Sequence, residues 1–255
     1  MAVIKIKSAE EIVLMRSAGA VAGRVLAEVA GFVKPGITTR QLDEFAAERI
    51  RAHGGRSAFL GYRNFPCHTC LSVNEEVVHG MASERLLKFG DIVSIDVGVV
   101  YNGFIGDNAR TVAVGGCGVA AQRLLDVTEQ SLQLGIAQAR PGKRVVDISR
   151  AVQEFVEAAG FGVVREFVGH GVGRTMHEEP QVPNYDDGAK NSPKLKAGMT
   201  LAIEPMVNAG LPGVKILKDG WTVVTQDGSL SAHFEHTVLI TDGAPEILTW
   251  PTRSE

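Results

Sequence analysis

Four acidic residues, Asp96, Asp107, Glu204 and Glu235, stand in or beside short β-branched stretches, where a carboxylate either faces water or is put to use. Asn102-Gly103 marks a two-residue hairpin turn, because both central positions of that turn need positive φ. If Tyr101 pairs with Phe104, Gly98 lies opposite Asp107, and Asp96 shares the face of Gly98. Asp96 and Asp107 are then diagonal neighbours, roughly 7–8 Å apart at the backbone, and both can reach one ion. Ser94, Asp96 and Gly98 leave space on that face, while Val93, Ile95, Val97 and Val99 form an apolar face suited to a core. Glu204 lies within Leu201–Val207, which reads as one buried strand, and a lone carboxylate there is costly unless paired or bound to a metal. Four converging carboxylates would repel one another and take up protons. Two divalent cations would balance their charge, whereas one would leave two charges over.

Three histidines sit where the backbone turns. His170 is flanked by glycines in Gly169-His170-Gly171-Val172-Gly173, His177 precedes Glu178-Glu179-Pro180, and His79 ends Val77-Val78-His79-Gly80. Each alone is an ordinary solvated or hydrogen-bonded imidazole. Beside the acids, an imidazole would complete an oxygen-rich donor set for a first-row divalent ion.

The elements that must position these residues recur along the chain. Lys34-Pro35-Gly36, an amphipathic helix and Gly54 are matched by Arg140-Pro141-Gly142, a second helix and Gly160. Each unit follows another helix, at about 9–31, opened by a Ser8-x-x-Glu11 capping box, and about 118–139. Phe89-Gly90 leads into Ile92-Val93-Ser94-Ile95-Asp96, and Ala197-Gly198 into Met199-Thr200-Leu201-Ala202-Ile203-Glu204; Asp107 and Glu235 precede a further similar pair. The expectation is an α+β chain, 1–255 forming one domain of two pseudo-equivalent halves, about 8–116 and 117–245, with antiparallel acidic strands facing one another and helices flanking them.

Composition narrows the classes. The 255 residues carry 45% hydrophobic and 22% charged residues and a net charge of −3, which fits a globular protein with its own core and offers no basic field for nucleic acid or anionic lipid. Three cysteines are too few for a disulfide scaffold, and no apolar run or secretory segment stands out, so a cytoplasmic protein is expected.

The ordered set Asp96, Asp107, His170, Glu204 and Glu235, with Arg165-Glu166-Phe167-Val168-Gly169-His170-Gly171-Val172-Gly173, resembles the type I methionine aminopeptidases of bacteria, subfamily A of peptidase family M24, from Ser8 to Thr241. The short interval between Glu204 and Glu235 lacks the insertion of type II enzymes, and the chain starts almost at the first helix. The resemblance implies the pseudo-two-fold "pita-bread" fold and two divalent ions, with Co, Mn, Fe, Zn and Ni as candidates. Asp107 and Glu235 would bridge them, Asp96 completing one site and His170 with Glu204 the other. A shared water would attack the scissile carbonyl with Glu204 as general base. His177 would donate to the developing oxyanion and His79 would hold the backbone or leaving nitrogen.

The same resemblance implies a methionine pocket drawing on Tyr62, Phe65, Cys70 and Trp221, with Phe59 and Met176 at neighbouring positions, and a preference for a small second residue. It further implies a monovalent cation near Asn74 and Ser231, the N-terminus of nascent polypeptides as substrate, and the ribosome exit region as a candidate partner. A monomer without direct nucleic-acid or membrane binding is expected.

Rival readings are weaker. Cys67-His68-Thr69-Cys70 lacks both a second cysteine pair for zinc and a thioredoxin-like βαβ context. Gly116-Cys117-Gly118-Val119-Ala120-Ala121 is a lone GxGxxA after a hairpin. A catalytically silent peptide-binding relative would tend to lose metal ligands, and all five are present; proline-specific peptidases usually add a large N-terminal domain.

Overall fold

Four helices form where capping and apolar spacing agree. In α1 (Ala9–Phe32) Met15, Ala18, Ala22, Val25 and Val29 recur at three- and four-residue intervals and are buried. The Ser8 hydroxyl accepts from Glu11 N–H at 3.3 Å, and Glu11 accepts from Ser8 N–H at 3.1 Å. Thr38 and Gln41 repeat the same box at α2 (Thr39–Ala52). Helices α3 (Val119–Gln138) and α4 (Val145–Ala158) follow, and α4 matches α2 in length at 14 residues. The recurrence is also conformational: Gly36 and Gly142 turn the chain into α2 and α4 with φ of 88° and 85°, a region that favours glycine. These features come from a computed structural model that describes residues 3–188 and 191–250.

A nine-stranded sheet with antiparallel neighbours runs through the fold. Its main path runs Arg56–Ser57, Ile92–Tyr101, Phe104–Ala113, Glu235–Leu239, Thr200–Ile203, Gly169–Gly171 and Glu178–Val182. Cys70–Val73 pairs with Ile92–Tyr101, and Glu246–Ile247 with Glu235–Leu239. The hairpin forms in the expected register: Tyr101 faces Phe104, Gly98 faces Asp107, and Asn102 and Gly103 both have positive φ. Val93, Ile95, Val97 and Val99 pack under α1 and α2 with Leu42, Ala46 and Ile50. Leu201, Ile203 and Val238 pack under α3 and α4 with Leu124, Ile148 and Val152. The helices thus take up the apolar face of the sheet and leave the other face for polar groups. No helix among the described residues is long and apolar enough to cross a membrane.

One expectation fails. Leu201–Val207 is not a single strand: Thr200–Ile203 ends in the main sheet, and Met206–Asn208 pairs with Ser231–His233 and Gly162–Val163 in a separate three-stranded sheet. Pro205 has no N–H to donate, so pairing cannot continue through it. Glu204 stands at this break, where its carboxylate is released from the ladder toward the polar face.

Candidate metal centre

Sheet register brings the acids together. Asp96 lies opposite Ala109, and Ala109 opposite Glu235. Ile203 pairs with His236, so Glu204, one residue on, continues the same cross-strand row beside Glu235. A second row, two residues along, holds Gly98 opposite Asp107 and, from the far side, Thr237 opposite Ala202 and Ala202 opposite His170. Because directly paired residues share a face, all five polar side chains project from the side opposite the helices.

Three of the five are spaced so that they could hold a metal ion. Asp107, His170 and Glu235 each offer an atom within 4.8 Å of the others. His170 Nε2 lies 3.4 Å from Glu204 Oε1 and 3.7 Å from Asp107 Oδ2. His170 Nδ1 faces Gly171 C=O at 2.9 Å. A carbonyl can only accept, so Nδ1 carries the proton and the Nε2 lone pair points at the carboxylates. Asp96 Oδ1, Asp107 Oδ1, Glu204 Oε1 and Glu235 Oε1 are buried without a hydrogen-bond partner. Four such oxygens are too costly to leave unless a cation collects them, and the donor set fits a divalent ion.

Electrostatics give the same answer. Burial pushes Asp96 up to about 7, against a hydrogen bond from the Cys70 thiol. Burial and then the charge of Asp96 hold Asp107 well above the carboxylate range; burial with the neighbouring carboxylates does the same to Glu204 and Glu235. The imidazoles move the other way: burial and the proximity of His177 lower His170 to about 4, and burial lowers His79 to about 4. His170 is therefore neutral at neutral pH, the form that a metal requires of an imidazole.

The two glycines beside His170 are required by space. A Cβ on Gly169 would strike Ala202 C=O, and one on Gly171 would strike Glu179 C=O. Gly169→Ala is expected to destabilise the fold by about 2 kcal/mol or more, as overpacking against backbone does, and to weaken metal affinity; thermal melts with and without added divalent ion measure both.

One cavity of about 260 Å³ opens over the five polar residues. Phe59, Tyr62, Phe65, Cys70, Met176 and Trp221 form its apolar wall, with His79 and His177 at its edge. Phe65 meets Trp221 edge-on with ring centroids 5.1 Å apart, and Tyr62 OH lies 2.8 Å from His177 Nδ1. His79 adopts φ of 59° immediately after Glu76–Val78. Gly98 makes room for Phe59, since a Cβ there would sit 2.6 Å from its ring.

Six lining residues are not among those expected at the cavity: Arg63, Val78, Phe167, Val168, Met206 and His233. His233 is buried, and its Nε2 has no hydrogen-bond partner and lies 3.7 Å from Glu204 Oε2. His233 ends Ser231–His233 in the smaller sheet, whereas Glu235 begins a strand of the main sheet, so no alternation within one strand signals it. Asn74 and Ser231 lie together, Ser231 N–H donating to Asn74 C=O at 2.9 Å. Burial raises the Cys67 thiol and raises Cys70 further, opposite to the depressed thiol of a redox CxxC motif. Gly118 caps α3 after an antiparallel hairpin, so the GxGxxA segment has no βαβ setting.

Comparison with known proteins adds an independent line. The model of metallopeptidase family M24 matches residues 13–242. A methionine aminopeptidase of Clostridium perfringens is 52% identical over 96% of this chain and 98% of its own length. One of Bacillus subtilis is 50% identical over 95% and 98%. The crystal structure of a methionine aminopeptidase from Thermotoga maritima superposes with a TM-score of 0.94 at 46% identity, covering 97% of this chain and 99% of that one. The fold is the pita-bread fold of these neighbours, and the chain belongs to metallopeptidase family M24, within its methionine aminopeptidase branch.

Proposed function

We propose that this chain is a metal-dependent aminopeptidase that removes the N-terminal methionine from new polypeptides. The observation that carries the reading is the set of four buried, unpaired carboxylate oxygens facing one neutral imidazole at the floor of an apolar, sulfur-tolerant cavity. Asp96, Asp107, His170, Glu204 and Glu235 would hold two divalent ions. Such ions supply Lewis acidity and bring the pKa of water toward neutrality. Co, Mn, Fe, Zn and Ni all suit this donor set.

The chain's own residues would do the rest. Glu204, at the strand break, takes a proton from the attacking water and carries it to the leaving amine. His177, oriented by Tyr62, donates to the carbonyl oxygen as charge develops there. His79 holds the backbone or leaving nitrogen, and its crowding by Phe167 and Trp221, with ring centroids at 5.4 and 6.1 Å, supports a small second residue. Phe59, Tyr62, Phe65, Cys70, Met176 and Trp221 receive the thioether side chain.

The repeated turns and helices support a chain of two equivalent halves, about 8–116 and 117–245. A monovalent cation near Asn74 and Ser231, a cytoplasmic monomer and a site of work near the ribosome exit complete the proposal. The test is hydrolysis of Met-Gly-Met-Met, expected to stop on chelation and return with added divalent ion. Cleavage of an Xaa-Pro peptide in its place, or full turnover in chelated protein, would overturn it.

A further inference from the structure

The lysines ahead of α1 are not absorbed by this chemistry, yet one of them is buried. The segment holding them crosses to the second half of the chain, Lys7 N–H donating to Gly198 C=O at 2.8 Å. The Lys7 side chain is 5% exposed and places Nζ 2.8 Å from Glu178 Oε2, while Lys5 Nζ reaches Oε1 at 3.0 Å. The Glu178 carboxylate, 2% exposed, also accepts from Thr175 N–H at 3.4 Å and the Thr175 hydroxyl at 3.2 Å. It therefore ties together both ends of the turn Thr175-Met176-His177-Glu178. A Cβ on Gly173 would lie 2.8 Å from the same carboxylate, so the strand end is pressed against it as well. On the other flank, Arg174 Nε donates to Glu11 of α1 at 3.4 Å, and its guanidinium lies 4.3 Å from the centroid of the Phe104 ring.

His177 stands inside this clamp. Desolvating an ammonium and a carboxylate commonly costs as much as their attraction returns, so such a pair is poorly explained by stability and better explained by the geometry it imposes. We infer that Lys7 is a positioning residue for His177: by neutralising and fixing Glu178, it sets the turn that aims the imidazole into the cavity. This rests on the reading of His177 as the donor to the substrate's carbonyl oxygen, and it adds the reason that donor is held in place.

The test uses the full-length, metal-reconstituted protein. Lys7→Met is expected to lower kcat by about tenfold with KM changed by less than about twofold, since a misaimed donor weakens the transition state more than the ground state. Lys7→Arg should recover kcat to within about threefold of the parent, because a cation again reaches Glu178. In Lys7→Met/His177→Ala the loss should equal that of His177→Ala alone. Losses that multiply, or a lowered melting temperature with unchanged kcat, overturn the inference. A second measurement needs neither activity nor metal: histidine-labelled 15N spectra should show the His177 resonance shifted or broadened in Lys7→Met while His53 stays in place. An unmoved His177 resonance overturns the inference. Should Lys7→Met fail to fold, Glu178→Gln, which removes the charge and keeps an acceptor, takes its place with the same expectations. If the parent protein does not cleave methionyl peptides, the functional reading fails by itself, and the spectra still decide the role of Lys7.

Discussion

Asp107→Asn is expected to reduce methionyl-peptide hydrolysis by about a thousandfold or more, roughly 4 kcal/mol of transition-state stabilisation, while making the metal-free protein more stable. The two effects share one cause. Asp107 is buried between Asp96, Glu235 and His170, and without a cation burial and the charge of Asp96 oppose its ionisation. The amide has the same shape, leaves no cavity and cannot ionise beside Asp96, so relief of about 1–2 kcal/mol is expected. In a chain of this size that raises Tm by roughly 2–6 °C in the presence of chelator. Adding divalent ion should reverse the order, because the parent gains about 2.7 kcal/mol at a hundred times Kd and the variant gains less. Melts of both proteins with chelator and with metal, beside peptide assays, measure all of this. A variant that melts below the parent in chelator would show that the carboxylates do not strain the empty site.

The second large effect is a reversed pH dependence. Metal-free protein should lose stability as pH rises from about 6.5 to 8.5. Asp96, at about 7 when folded, and Asp107, Glu204 and Glu235, raised further by burial and by one another, keep protons that the unfolded chain has released. The folded state then binds more protons than the unfolded one, so stability falls with rising pH, by up to about 1.4 kcal/mol per pH unit for each carboxyl still protonated. Histidines act in the opposite direction but in another window. His79, His170 and His236 at about 4 and His233 at about 3 are neutral when folded, whereas unfolded histidines take up protons below about 6.5. Their contribution is lost on acidification and is constant above that pH, which leaves the carboxylates visible in the upper window. Denaturant midpoints between pH 6.5 and 8.5 should fall in chelator and flatten once divalent ion is bound. A midpoint that rises with pH in chelator would contradict the shared burial of these acids.

Local rules read from the amino acids reached a long way into this fold. The Asn102-Gly103 turn and strict alternation determined the register of the first hairpin, and with it the diagonal placement of Asp96 and Asp107. The Ser8 box opened α1 where expected, and Lys34-Pro35-Gly36 and Arg140-Pro141-Gly142 announced two helices of equal length. Hydrogen bonds and steric limits between near neighbours settle such features, so short windows of sequence contain them.

Three things were decided only by the assembled structure. Glu204 leaves its strand because Pro205 halts pairing in one sheet while Met206–Asn208 finds partners in another, and no local pattern names those partners. His233 joins the cavity because Ser231–His233 docks beside Met206, which turns an unremarked imidazole toward Glu204. Lys7 becomes a buried cation because Glu178, far along the chain, is folded beneath it. Each depends on contacts between distant segments whose energies are weighed only when those segments are packed together, so residue type and spacing marked the candidate donors while tertiary packing determined their convergence.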